Sequence, residues 1–89
     1  MAWKIEFSHA ADRELGKLDP QIARRILKVL RDRIAKADDP RTFGEALKGS
    51  QLGEFWKYRI GDYRLVCSIE DQILRILVLR IGHRREVYR

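Results

Sequence analysis

The sequence predicts an α+β fold of order β-α-α-β-β-β, with two N-terminal helices packed on one face of an antiparallel sheet. Three observations predict it. Apolar residues recur at helical spacing only in the first half of the chain. From residue 54 onward they alternate or run continuously, as strands do. Gly61-Asp62 sits between two alternating segments, where a tight hairpin turn favours glycine.

The elements follow in order. Trp3, Ile5 and Phe7 alternate with Lys4 and Glu6, so Ala2 to Phe7 reads as a half-buried strand. Ser8 is a candidate N-cap for a short helix to about Lys17, with Ala11, Leu15 and Leu18 as its apolar stripe. Asp19-Pro20 starts a second helix, because Asp caps and Pro suits the first helical position. That helix is expected over about Pro20 to Ala37, with Ile22, Ile26, Val29 and Ile34 on its apolar side. Arg24, Arg25, Lys28, Arg31 and Lys36 lie mostly opposite and read as solvated surface. Asp38-Asp39-Pro40 ends it. Residues 38–53, with Pro40, Gly44, Gly49 and Gly53, read as the loosest stretch. Three strands are expected at about Glu54–Ile60, Tyr63–Ile69 and Ile73–Ile81. The last is apolar at both parities, as a central strand covered on both faces should be.

The 89 residues are expected to form one domain, 1–89, with a single core and little stability to spare. The longest apolar run, Ile76 to Leu79, is far too short to span a membrane. Lys4 and Glu6 interrupt any secretory signal, so the expected location is the cytoplasm. A lone cysteine, Cys67, reads as a small buried hydrophobe. Only His9 and His83 could assist it as metal ligands, so neither metal nor other cofactor is expected. The formal net charge is +6, and arginine outnumbers lysine thirteen to six. Arginine's planar head suits phosphate. The balance points to a polyanionic partner, either nucleic acid or an acidic protein.

A two-residue turn at Gly61-Asp62 fixes the hairpin register. Ile60 then faces Tyr63, Arg59 faces Arg64, Tyr58 faces Leu65, Lys57 faces Val66 and Trp56 faces Cys67. One face carries Trp56, Tyr58, Ile60, Tyr63, Leu65, Cys67 and Ile69, a surface for the helices to cover. The other carries Phe55, Lys57, Arg59, Arg64, Val66 and Ser68. Like charges opposite one another destabilise a sheet. Lys57, Arg59 and Arg64 together therefore suggest an anion site, although ordinary solvent-facing charge fits the same pattern. His83, Arg84, Arg85 and Arg89 add donors beyond the last strand. Tyr88 can stack on a base, exchange a proton, or serve as an aromatic lid.

No Ser-His-Asp arrangement, glycine-rich phosphate loop or metal cluster is visible. Phosphoryl transfer without a metal needs positioning and neutralised phosphate charge, which Arg and Lys supply. RNA brings its own nucleophile, the 2′-OH, and so suits a sparse cationic site better than DNA does.

At these residues the sequence resembles the RelE family of toxins from type II toxin–antitoxin systems, within the RelE/ParE superfamily. The resemblance covers essentially the whole chain. It is carried by Leu47-Lys48-Gly49, by Trp56 to Val66, and by Ile81 to Tyr88. It implies an mRNA interferase that enters the ribosomal A site and cuts the codon there. The ribose 2′-OH would attack in line, leaving a 2′,3′-cyclic phosphate and a 5′-OH. It further implies that Lys57 acts on the 2′-OH side and that Arg59 stands where the family carries a second lysine. Arg64 would hold the scissile phosphate, and Arg84, or Arg85 in its place, would serve the transition state or leaving group. Tyr88 would stack on a codon base, and Lys48, His83, Arg85 and Arg89 would bind RNA. Some relatives use a glutamate and a histidine as base and acid, for which Glu54 and His83 are the candidates. The resemblance also implies an acidic antitoxin that covers this surface and carries any operator-DNA binding. Two other readings share the fold: a ParE-like toxin that poisons DNA gyrase, and a binding module without catalysis.

Overall fold

The structure, a computed structural model, describes residues 2–47 and 55–83. Strands β1 (Lys4–Phe7), β2 (Glu45–Ala46), β3 (Phe55–Ile60), β4 (Tyr63–Glu70) and β5 (Arg75–His83) form one sheet in the order β1-β5-β4-β3-β2. Helices α1 (His9–Gly16) and α2 (Pro20–Val29) lie between β1 and β2 in the chain. The α+β class is as expected, with two changes: β1 runs parallel to β5, so the sheet is mixed, and β2 adds a fifth strand. A parallel pair needs a long connection, and the two helices provide it. Strand direction at β1 is thus set by the crossover and not by any local turn.

Both helices start as their caps dictate. The Ser8 hydroxyl accepts from the Ala11 N–H at 3.1 Å and donates to the Leu79 carbonyl at 2.8 Å, tying the start of α1 to β5. Asp19 accepts from the Gln21 N–H at 2.8 Å, and Pro20 opens α2. The second helix does not continue as an α-helix to Ala37. It passes at Leu30–Ile34 into a π turn, where the Ala35 N–H donates to the Leu30 carbonyl at 2.8 Å. The reason lies in Ile26, Leu30 and Ile34, which recur every four residues. At 3.6 residues per turn each such step overshoots by roughly 40°. A wider i→i+5 turn removes the overshoot. All three side chains then reach the core, at 0%, 0% and 2% exposure.

A second irregularity does the same for β5. Val66 pairs with Arg80 and Cys67 with Val78, so Leu79 is an extra residue and the strand bulges there. The bulge changes the parity, and Ile76, Val78 and Ile81 all become buried. Beyond the end of β1, α1 covers the edge of β5. The Glu14 carboxylate accepts from the Ile81 N–H at 2.8 Å and from the Arg80 guanidinium at 2.9 Å, replacing a neighbouring strand's carbonyls. Burial raises the Glu14 pKa, but the Arg80 and Ile81 bonds outweigh it and hold the carboxyl below its ordinary value.

Ile34→Ala should cost about 2–5 kcal/mol in chemical denaturation, because it opens a cavity at the π turn. Gln21→Ala, on the exposed side of α2, should change stability by less than about 0.5 kcal/mol.

Candidate nucleic-acid interface

Gly61 takes a φ of +60°, which lets the chain reverse between β3 and β4 within the expected two residues. The register is the expected one at every rung from Ile60–Tyr63 to Trp56–Cys67, and Arg59 lies opposite Arg64. Tyr58, Ile60, Leu65, Cys67 and Ile69 are buried in the core beneath the helices. Lys57, Arg59 and Arg64 share the opposite face by strand alternation. Arg59 is exposed, while Lys57 and Arg64 are half-buried. The Arg64 guanidinium donates to the Tyr63 carbonyl at 3.4 Å.

Charge is arranged differently along this face. At one end Arg75 bridges Glu6 at 2.8 Å and Glu70 at 2.9 Å. The bond to Arg75 holds the Glu70 carboxyl below its ordinary value. At the other end, no carboxylate of the described residues forms an ion pair with Arg59 or Arg64. Lys57 does meet one: its Nζ lies 3.4 Å from Glu45. Glu45 belongs to β2 and is paired in register with Lys57, so a base-competent group stands at the edge of the cationic rungs.

Glu45 was missed because residues 38–53 read as loose. In the structure residues 39–46 are held at several points. Asp39 caps a short 3-10 turn, Pro40–Thr42, by accepting from the Arg41 N–H at 3.0 Å. Arg41 makes a two-pronged bond to Asp71 at 2.9 and 2.7 Å. The buried Tyr58 hydroxyl donates to the Pro40 carbonyl at 2.9 Å, and burial pushes the Tyr58 pKa up. The Trp56 indole N–H donates to the Phe43 carbonyl at 2.6 Å. Gly44, at a φ of +72°, lies so close to β3 that an added Cβ would sit 2.2 Å from the Lys57 carbonyl oxygen. These contacts set the two-residue strand that carries Glu45, and a pair so short leaves no periodicity to read.

His83 also lies elsewhere than expected. It is the last residue of β5, opposite Tyr63, and its ring meets the Tyr63 ring edge-on at 5.8 Å. It therefore shares the face of Tyr63, whereas Arg64 is opposite Gly82, which contributes no side chain. Lys48, Glu54, Arg84, Arg85, Tyr88 and Arg89 lie outside the described residues.

Comparison with known proteins fits this geometry. A family model described as the ParE toxin of type II toxin–antitoxin systems matches residues 5–88. The chain belongs to this family. Toxin RelG of Mycobacterium tuberculosis is 30% identical over 89 residues, covering 100% of this chain and 99% of RelG. The toxin–antitoxin complex RelBE2 of Mycobacterium tuberculosis superposes with a TM-score of 0.83 at 27% identity, over 97% of this chain and 95% of that one. A double arginine-to-alanine mutant of Escherichia coli toxin RelE in the free state gives a TM-score of 0.75 at 25% identity, over 93% and 84% of the two chains. Family members thus share the arrangement of helices and sheet that places Lys57, Arg59 and Arg64 on one surface.

Gly44→Ala should lower stability by about 2–4 kcal/mol, since alanine is strained at positive φ and its Cβ has no room. Thermal unfolding measures this, and Gly16→Ala, where a Cβ meets nothing within 4 Å, is the control.

Proposed function

We propose that this toxin is an endoribonuclease that cleaves mRNA in the ribosomal A site, without a metal, by attack of the ribose 2′-OH on the adjacent phosphate. The observation that carries this reading is the Arg59–Arg64 rung, paired with no carboxylate among the described residues, beside the Lys57–Glu45 pair. Arg64, anchored on a central strand, is suited to gripping the phosphate that is attacked. Lys57 and Arg59 would neutralise charge that develops on its oxygens. Arginine is a poor proton acceptor, so Arg59 binds and does not act as the base. Glu45 is the better candidate for that role: its carboxylate can accept the 2′-OH proton, and its contact with Lys57 holds it beside the cationic rungs. Arg84, Arg85 and Tyr88 would complete the site from the C-terminal segment, Arg84 or Arg85 at the leaving group and Tyr88 against a base. Lys48 and Arg89 would add RNA contacts. His83, edge-on to Tyr63, is better placed to orient that ring than to deliver a proton at Arg64.

The same reading gives the chain an acidic antitoxin as its cytoplasmic partner. The similar RelBE2 structure of Mycobacterium tuberculosis is a toxin–antitoxin complex. A groove of about 180 Å3 beside β3, lined by Val29, Ile34, Phe43 and Ile60 and rimmed by Arg33 and Arg59, suits an apolar segment with acidic flanks.

A second reading, a gyrase-poisoning toxin without RNA cleavage, is favoured by the name of the family model itself. Primer extension on programmed ribosomes separates the two. Cuts at the A-site codon are expected, while gyrase-dependent DNA breaks without such cuts would replace the first reading with the second. Arg64→Ala and Glu45→Gln should each slow cutting at least about a hundredfold while leaving the melting temperature within a few degrees. A fully active Arg64→Ala protein would remove Arg64 from the site.

A further inference from the structure

Phe43 and Ile73 are the exposed large hydrophobics among the described residues, and Phe43 is the aromatic one, at 38% exposure. Its backbone is held firmly. Its carbonyl accepts from the Trp56 indole at 2.6 Å, its N–H donates to the Pro40 carbonyl at 3.3 Å, and Gly44 after it is pressed against β3. The ring lines the groove beside β3, together with the buried Ile34 and Ile60. Arg33 and Arg59 line it too, and no carboxylate does.

The groove exists because β2 stops short. The Leu47 N–H donates to the Phe55 carbonyl, and Glu45 pairs with Lys57, so the odd residues of β3 turn their peptide groups toward β2. Continuing that register would set Phe43 opposite Arg59. The chain turns away at Gly44 instead, at a φ of +72°, and the Phe43 carbonyl is taken by the Trp56 indole. The Arg59 N–H and C=O therefore face the groove, and no described residue bonds to them.

We infer that this groove takes one unstacked base of the single-stranded RNA, laid on the Phe43 ring, beside the phosphate held at the Arg59–Arg64 rung. The assignment rests on the RNA-cleaving reading proposed above and adds a base subsite to it. Single strands are held by aromatic side chains that stack on their bases and by cations along their backbone. Arg59 stands where the rung meets the groove, so a strand whose phosphate reaches Arg59 brings a neighbouring base to Phe43. The open Arg59 peptide can hydrogen-bond the edge of that base. An added protein strand is the weaker fit, because only one residue's peptide groups are open before the chain turns at Gly61. Stacking accepts any base, so Phe43 positions the strand and does not choose the codon. An apolar antitoxin segment in the same groove would exclude the base.

The test is binding of the full chain to a short end-labelled single-stranded RNA, with 2′-deoxy sugars to prevent cleavage, read by fluorescence anisotropy. Phe43→Leu keeps apolar bulk without the ring and should weaken binding about 5- to 100-fold. The loss should be equal at about 50 and 200 mM salt, because no charge is removed. Phe43→Trp should retain affinity. The melting temperature of both variants should stay within a few degrees, since the bonds at this position run through the backbone. Removing the base at each position of the RNA in turn should reveal one position where wild type and Phe43→Leu bind equally. Wild-type affinity in Phe43→Leu would overturn the inference and leave the groove to a protein segment, as would a loss that no single abasic position abolishes. Binding that depends on the ring, in a protein that makes no A-site cuts, would keep the subsite and remove the cleavage reading. A-site cuts without ring-dependent binding would do the reverse.

Discussion

Ile60 closes on Tyr63 across Gly61 and Asp62, and every rung of β3 and β4 below that closure inherits its parity. Slipping by one residue would turn Lys57, Arg59 and Arg64 into the core and expel Tyr58, Leu65 and Cys67 from it. Burying unpaired cations costs several kcal/mol each. The core therefore enforces the position of the cations, although none of them contributes to it. Facing arginines oppose the pairing at that rung, and the apolar rungs on the other face hold it in place. The site is stable because its own repulsion is small beside the penalty of any other register.

The same logic explains the two breaks in regular structure. Ile26, Leu30 and Ile34 would drift off the core face in an unbroken α-helix, and the π turn restores them. Ile81 would point away from the core in an unbroken β5, and the bulge at Leu79 turns it inward. In both places local regularity yields so that a large aliphatic side chain stays buried. Each break also has an effect at the surface. The π turn leaves Arg31 and Arg33 exposed, and the bulge puts Arg80 within reach of Glu14 at the edge of the sheet.

What the sequence made legible follows from how far apart the determining residues lie. Ser8, Asp19 and Gly61 act on their immediate neighbours, so caps, helix starts and the hairpin register could be read directly. The direction of β1 depends on where two helices return the chain, and nothing near Lys4 encodes it. The strand bearing Glu45 depends on Tyr58 and Trp56 bonding backward to Pro40 and Phe43, and on a glycine that tolerates close approach to Lys57. In a linear reading those residues looked like a glycine- and proline-containing loop. His83 stands within β5 and not beyond it, because β5 extends two residues past its expected end.

Carboxylates are the scarcer charge in this chain, and their placement separates the cations that hold the fold from those left free to bind. Glu6, Glu70 and Asp71 tie down Arg75 and Arg41 around the turn between β4 and β5, and Glu14 ties down Arg80 at the sheet edge. Exposed pairs of this kind contribute little stability, so their main effect is to fix geometry and cancel field. Around Arg59 and Arg64 that cancellation is absent among the described residues. Uncompensated cations repel one another in the free protein and gain most from a partner that brings many negative charges at fixed spacing. A phosphate backbone does so. Glu45 is the exception that sharpens the pattern: the carboxylate beside the cationic rungs is set at their edge against Lys57, where the proposed reaction needs a proton acceptor, and not between Arg59 and Arg64, where it would compete with a phosphate.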